Sequence, residues 1–311
     1  MTEIFLSIFF ITILLLFLST GVWVALSMIG VSTIAMTLFT SRPVGDAMAT
    51  TIWGTSSSWT LTALPLFVWM GEILFRTKLS ENLFEGLSPW MQKLPGGLIH
   101  VNVVGCALFA AISGSSAATV ATVGKMSIPE LRKRNYPEKI LLGSLAGSGT
   151  LGLLIPPSII LIIYGVTVQE SIAKLFVAGI IPGIMIALIF MGYVILWSLF
   201  NKKEMPSILT NYSFGEKIKR SGQLIPVILL IISVIGSIYT GIATATEAAS
   251  LGVVGALILS YFQKSLNWNT FKNSLLGATI TSCMISFILA GSAFLSLAMG
   301  FTGLPRNLAL W

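Results

Sequence analysis

Apolar residues in this chain run in long blocks separated by short polar, mostly basic stretches. One bilayer crossing needs roughly 20 apolar residues. On that measure residues 4–39 suffice to cross twice if the chain bends near Gly21. A polar stretch over 40–57, carrying Arg42 and Asp46, precedes a span over 59–75. Residues 76–97 are mixed: Leu83, Phe84, Leu87 and Trp90 recur at helical spacing among Lys78, Glu81, Glu85 and Lys93. That pattern predicts an amphipathic helix lying on the membrane surface. Residues 98–124 are apolar but interrupted by Ser113-Gly-Ser-Ser116, and 125–139 form a basic loop. A broken span follows over 140–164, then a short loop, a span over 175–200 and a polar linker over 201–221. Spans near 224–240 and 248–262 and a last apolar region over 273–300 complete the map.

Composition fits that map. Hydrophobic residues make up 55% of the 311 and charged residues only 9%, with mean hydropathy +0.92. So little charge cannot cover a soluble domain of this size, which predicts an all-α polytopic membrane protein. The net charge of +7 lies in clusters between apolar spans, so no nucleic-acid partner is expected; the partner of the apolar faces is membrane lipid. Cys106 and Cys283 lie in separate apolar segments and read as buried small hydrophobes, not as a disulfide or metal pair. Residues 1–20 are apolar with no Lys or Arg ahead of the core, the pattern of a retained first span and not of a cleaved signal.

Charge bias then gives orientation. If the basic loops at 76–97, 125–139, 201–221 and 263–273 face the cytoplasm, they hold 15 of the 18 Lys and Arg residues, leaving Arg42, Lys174 and Arg306 outside. That asymmetry follows the positive-inside rule. It has a geometric cost for 98–124, whose two flanking loops now share a side. A single crossing is impossible, and 27 residues are too few for two crossings of about 40. A re-entrant hairpin with its tip at 113–116 satisfies both conditions.

The chemistry concentrates at two interruptions. In hydrocarbon an unpaired amide or carbonyl costs several kcal/mol, so breaks at membrane depth mark backbone that is protein-buried or faces a wet cavity. Ser113, Ser115, Ser116 and Thr119 supply hydroxyls around Gly114, which allows a turn. Gly147, Ser148, Gly149 and Thr150 offer similar groups in the second element. Hard cations such as sodium favour clustered oxygen ligands, and unwound backbone provides them without a carboxylate. A sodium ion is therefore placed near Ser113, Ser115, Ser116 and Gly149. A half-helix opening near Pro156, Pro157 and Ser158 would aim its positive end at an anion. The plain alternatives are close helix packing through small residues for the serines and a simple kink for the prolines.

A third polar cluster, Thr244, Thr246 and Glu247, opens the span near 248–262. Thr-x-x-Glu is the spacing of a capping box, which accounts for Glu247; the alternative is a role near the transport path, since a carboxylate at such a helix start is costly unless paired. Glu72 can reach the interface from its span end, and the single histidine, His100, sits at a membrane edge and is not expected to be a ligand.

Together these stretches resemble the large membrane subunit of tripartite ATP-independent periplasmic (TRAP) transporters. The resemblance is carried by Ala110-Ala-Ile-Ser-Gly-Ser-Ser116 with Ile128-Pro-Glu-Leu-Arg132, by Gly149-Thr-Leu-Gly-Leu-Leu-Ile-Pro-Pro-Ser158 and by Gly241-Ile-Ala-Thr-Ala-Thr-Glu-Ala-Ala249. Ala63-Leu-Pro-Leu-Phe67 with Met70-Gly-Glu72 matches as well; Ala245 stands where the family usually has proline. The resemblance implies an inverted-repeat, elevator-type secondary transporter of the prokaryotic inner membrane. It further implies sodium as coupling ion with no other cofactor, a small organic acid as cargo, and two partners, a small four-helix membrane subunit and a periplasmic substrate-binding protein. It assigns 1–97 to scaffold helices and the surface helix, 98–164 to the first hairpin and broken helix, 165–221 to a scaffold helix and linker, and 222–311 to the start of a second repeat. The second Pro-Pro break and second hairpin that the family pattern calls for are not found before Trp311, so these 311 residues are not expected to transport alone. The runner-up is a sodium-coupled organic-anion carrier that needs no binding protein. An intramembrane enzyme is more distant: His100 is poorly placed for a serine protease, Asp46 is the only aspartate, and Gly124-Lys125-Met126 lacks the upstream glycine of a phosphate loop, having Thr119 there.

Overall fold

A computed structural model describes residues 2–77, 79–206, 212–303 and 305. Lys78, Arg306, the side chain of Glu81 and linker positions 207–211, which entered the reading above, lie outside the described residues. Among the described residues the chain is helical, with no strand. The helices are α1 (Thr2–Ser19), α2 (Val24–Phe39), α3 (Val44–Ser56), α4 (Ala63–Phe75), α5 (Leu79–Met91), α6 (Ile99–Ser113) and α7 (Ser116–Lys133). They continue with α8 (Glu138–Gly149), α9 (Ile159–Val168), α10 (Ile172–Phe200), α11 (Phe214–Ser221), α12 (Ile225–Tyr239), α13 (Ala245–Phe262) and α14 (Trp268–Phe301). Among the described residues, helices α10, α13 and α14 are long and apolar enough to cross a bilayer, or up to five spans form if helices joined by sharp breaks count together.

Two compact units form. In the first, Met1–Leu61 with Ile280–Trp311, α1 and α2 turn back at Gly21, whose φ of 80° suits a residue without a Cβ. Phe10, Val31 and Ala35 pack there with Leu295 and Met299, and Met36 packs with Phe294 and Ala298. Most of the polar stretch 40–57 folds as α3, opened by Pro43 and with Asp46 in its first turn, where an acid suits the helix dipole.

In the second unit, Thr62–Thr279, α4 packs on α13 and α6, and α6 also packs on α7 and α8. Helix α6 is buried almost throughout, from Ile99 to Ser113. The amphipathic helix appears as α5, but Leu83, Phe84 and Leu87 are buried against α6, α7 and α11. Protein covers these three residues of its apolar face, while Trp90 of the same face stays exposed. The basic loop at 125–139 is shorter than expected, because α7 continues through Pro129 to Lys133, and the polar linker contains α11, set by a Ser213–Glu216 capping box. Cys106 is buried as expected, whereas Cys283 is exposed; an apolar segment that faces outward leaves its small residues outside too.

Candidate functional site: a hairpin tip seated in a helix break

Helices α6 and α7 form the hairpin. Its turn is Gly114, at φ 58° and ψ 9°, a left-handed conformation that costs a residue with a Cβ. The arms run back against each other: a Cβ added at Gly105, nine positions before the turn, would lie 3.6 Å from Val123, nine positions after it. At the base, the Leu98 amide donates to the Tyr136 hydroxyl at 3.0 Å. The loops before and after the hairpin therefore meet at one end, as the charge pattern requires. With 15 residues in α6, the tip lies about 22 Å from that base.

The second element is interrupted as the glycines and prolines predict. Helix α8 stops at Gly149, residues Thr150–Leu153 form one tight turn, and α9 restarts only at Ile159. The hairpin tip fits into this gap. The Ile159 amide, first of α9, donates to the Gly114 carbonyl at 3.2 Å. A Cβ at Gly114 would come within 2.6 Å of the Pro157 carbonyl oxygen, and one at Gly152 within 2.8 Å of the Ser116 amide nitrogen. Absent side chains thus let main chain touch main chain. Helix α4 closes over the tip, since a Cβ at Gly71 would lie 2.9 Å from Ser113 Cα.

Ser113 and Thr119 are buried, with their hydroxyl oxygens 3.0 Å apart. The Thr119 hydroxyl donates to the Ser115 carbonyl at 2.7 Å, and Ser113 Oγ lies 3.3 Å from that carbonyl and 3.3 Å from the Ser115 amide. Ser115 is the N-cap of α7; its hydroxyl accepts from the Ala118 amide at 3.4 Å. Three oxygens therefore gather within one turn, and the first amide of α9 donates to the Gly114 carbonyl at the same tip. Hydroxyls and carbonyls of this kind can surround a small cation, and a helix N-terminus favours negative charge. Ser116 and Gly147 are half-buried and Gly149, Pro156 and Pro157 are buried in the same region, whereas Thr150 is exposed and donates to the Gly147 carbonyl at 2.7 Å. Ser158 is buried and donates to the Leu153 carbonyl at 2.6 Å.

Ser148 sits deeper, in a network that sequence reading passed over. Its hydroxyl donates to the Ser144 carbonyl at 2.6 Å. The Asn102 amide, fully buried in α6, donates to Ser144 Oγ at 3.0 Å and to the Leu141 carbonyl at 3.3 Å. A single amide inside an apolar run was the available signal. The Thr244–Glu247 cluster forms its capping box: Glu247 Oε2 accepts from the Thr244 amide and hydroxyl, both at 2.8 Å, and the Glu247 amide donates back at 3.3 Å. It belongs to α13, which packs on α4 and α12, and Thr246 adds only a carbonyl that accepts from Ser250. Glu72 pairs with Arg76 at 3.0 Å, and His100 Nε2 lies 2.7 Å from the Pro95 carbonyl.

Fold and site define a polytopic membrane protein in which a helical hairpin is seated in a broken helix. The chain belongs to the tripartite ATP-independent periplasmic transporter family, DctM component, whose model matches residues 11–311. It is similar to the C4-dicarboxylate TRAP transporter large permease proteins DctM of Pseudomonas aeruginosa, 31% identical over 85% of this chain and 62% of that one, and of Rhodobacter capsulatus, 30% identical over 96% and 70%. It is also similar to the sialic acid TRAP transporter large permease protein SiaM of Vibrio cholerae, 31% identical over 94% of this chain and 68% of that one. The chain thus spans 62% of the length of the Pseudomonas relative. These relatives are permease subunits, not enzymes.

Proposed function

We propose that this chain belongs to the large membrane subunit of a sodium-coupled importer of a small organic acid. The importer takes its cargo from a periplasmic substrate-binding protein and works with a small four-helix membrane subunit in a prokaryotic inner membrane. The observation that carries the reading is the hairpin tip seated in the helix break, with Ile159 N–H on the Gly114 carbonyl at 3.2 Å. Irregular backbone at membrane depth survives where it is protein-buried or lines a wet cavity, and in transporters such breaks form ion and cargo sites; the tip offers oxygens for a cation beside the N-terminus of α9 for a carboxylate. Sodium is assigned to the neighbourhood of Ser113, Ser115, Ser116 and Gly149. The names of the relatives point to dicarboxylates and sialic acid as the range of cargo. An elevator-like displacement of the hairpin and broken helix would carry the tip across the membrane, with a second inverted repeat completing the site.

The test is uptake into proteoliposomes containing the protein, the small subunit and the binding protein, with and without an inward sodium gradient. Uptake that needs all three and the gradient supports the reading. Uptake indifferent to sodium removes the coupling, and uptake without the binding protein favours a self-sufficient carrier.

A further inference from the structure

At the base of the hairpin, away from the tip, three of the basic segments converge on one cavity of about 300 Å³. Its walls are Gln92 and the 94–98 loop, Arg134 and Tyr136 after α7, Ser198 and Leu199 at the end of α10, and Lys202, Met205 and Pro206 beyond it. The loop is held rigidly: Gly96 (φ 100°) packs on Val194 of α10, and Gly97 (φ 53°) packs on the Tyr136 hydroxyl. Burial pushes the Tyr136 phenol above its ordinary range, so it remains a neutral hydroxyl at the cavity wall. Two cations, Arg134 and Lys202, line the space, and no carboxylate does. Arg134 touches Glu130 only at 3.5 Å, and Lys202 has no ion-pair partner among the described residues. Of the acids next to these segments, Glu138 is engaged by Arg132 at 2.8 Å, and Glu204, in the turn that carries Lys202, does not line the cavity.

We propose that this cavity binds the phosphate headgroup of an anionic phospholipid, with Arg134 and Lys202 as its counter-charges. Two features select a lipid over a free anion. Helix α10 has 29 residues, about 43 Å of rise against a hydrocarbon core of about 30 Å, so its end reaches headgroup level. The face leading there is apolar and exposed, through Ile181, Leu188, Ile189, Leu196 and Leu199, and the cavity wall continues it with Leu199, Leu98 and Met205. Acyl chains lying along α10 would bring a phosphate to the two cations. This inference depends on the membrane character of the chain and not on its cargo or coupling ion.

Native mass spectrometry of the detergent-purified protein with phosphatidylglycerol or phosphatidylcholine of identical acyl chains tests it. Each basic residue at a membrane surface contributes about 5-fold to binding of an anionic lipid. Phosphatidylglycerol should therefore be retained over phosphatidylcholine, and Arg134→Gln or Lys202→Gln should each lower its retention about 5-fold while leaving phosphatidylcholine unchanged. Lys202 is exposed, so Lys202→Gln keeps the test valid if the Arg134 variant fails to fold. Equal retention of the two lipids, or unchanged phosphatidylglycerol retention in Lys202→Gln, overturns the proposal. So does thermal stabilisation by inorganic phosphate with none by phosphatidylglycerol, which would identify a soluble-anion site.

Discussion

At the scale of single residues, the tip depends on what is missing from its side chains. Gly114→Ala adds a methyl group at φ 58° facing the Pro157 carbonyl at 2.6 Å. The left-handed conformation alone costs about 1–2 kcal/mol, and the contact would push the tip out of the break. Thermal unfolding in detergent should show a loss of at least that size, with uptake abolished; a wild-type melting curve would argue against this packing. Thr244→Ala is a control of opposite kind. It removes the N-cap of α13, for a loss of about 1 kcal/mol, and sodium dependence of uptake should not change. The glycines, the hydroxyls and the Thr-x-x-Glu spacing were all legible in the chain, because each acts locally. Ser113 with Thr119 was legible only as a composition, since their 3.0 Å approach depends on the turn geometry.

At the scale of elements, hydrophobic pattern located nearly every helix but not what covers it. Helix α5 shows why: its periodicity predicts one apolar face, and a lipid surface or neighbouring helices can satisfy that face equally. Helices α6, α7 and α11 do so here. Helix α3 was not legible in the pattern, because small and polar residues are mixed with apolar ones over 44–56 and leave only a polar stretch to read. The link between α6 and α8 was invisible for another reason: it joins Asn102 to Ser144, 42 positions apart. Asn102→Leu would delete the two bonds from the buried amide, to Ser144 Oγ and to the Leu141 carbonyl, which would keep only its bond from the Ser144 hydroxyl. A loss of about 1–3 kcal/mol is expected, read as a lower midpoint in detergent denaturation. An unchanged midpoint would show that this amide does not hold the two elements together.

At the scale of the whole molecule, charge distribution and hairpin geometry agree independently. Basic residues require the segments flanking 98–124 to share a side, and the Leu98–Tyr136 hydrogen bond joins those flanks. Cysteines introduced by Lys93→Cys and Lys139→Cys should both react with an impermeant maleimide from the cytoplasmic face only; labelling from opposite faces would convert the hairpin into a crossing. Family membership was legible because two of its motifs fall at the breaks, over 110–116 and 149–158, and a third at the Thr244–Glu247 cap, where local backbone chemistry calls for particular residue types. The central claim, that the tip grips the coupling ion, is tested most directly by the sodium dependence of uptake in the fully assembled system carrying Ser115→Ala and Ser116→Ala. The hydroxyl of Ser115 caps α7 only through a long 3.4 Å bond, so insertion and folding should persist while half-maximal activation moves to higher sodium. A sodium response identical to that of the unmodified protein, at equal amounts in the membrane, would contradict the claim and leave these serines as packing residues.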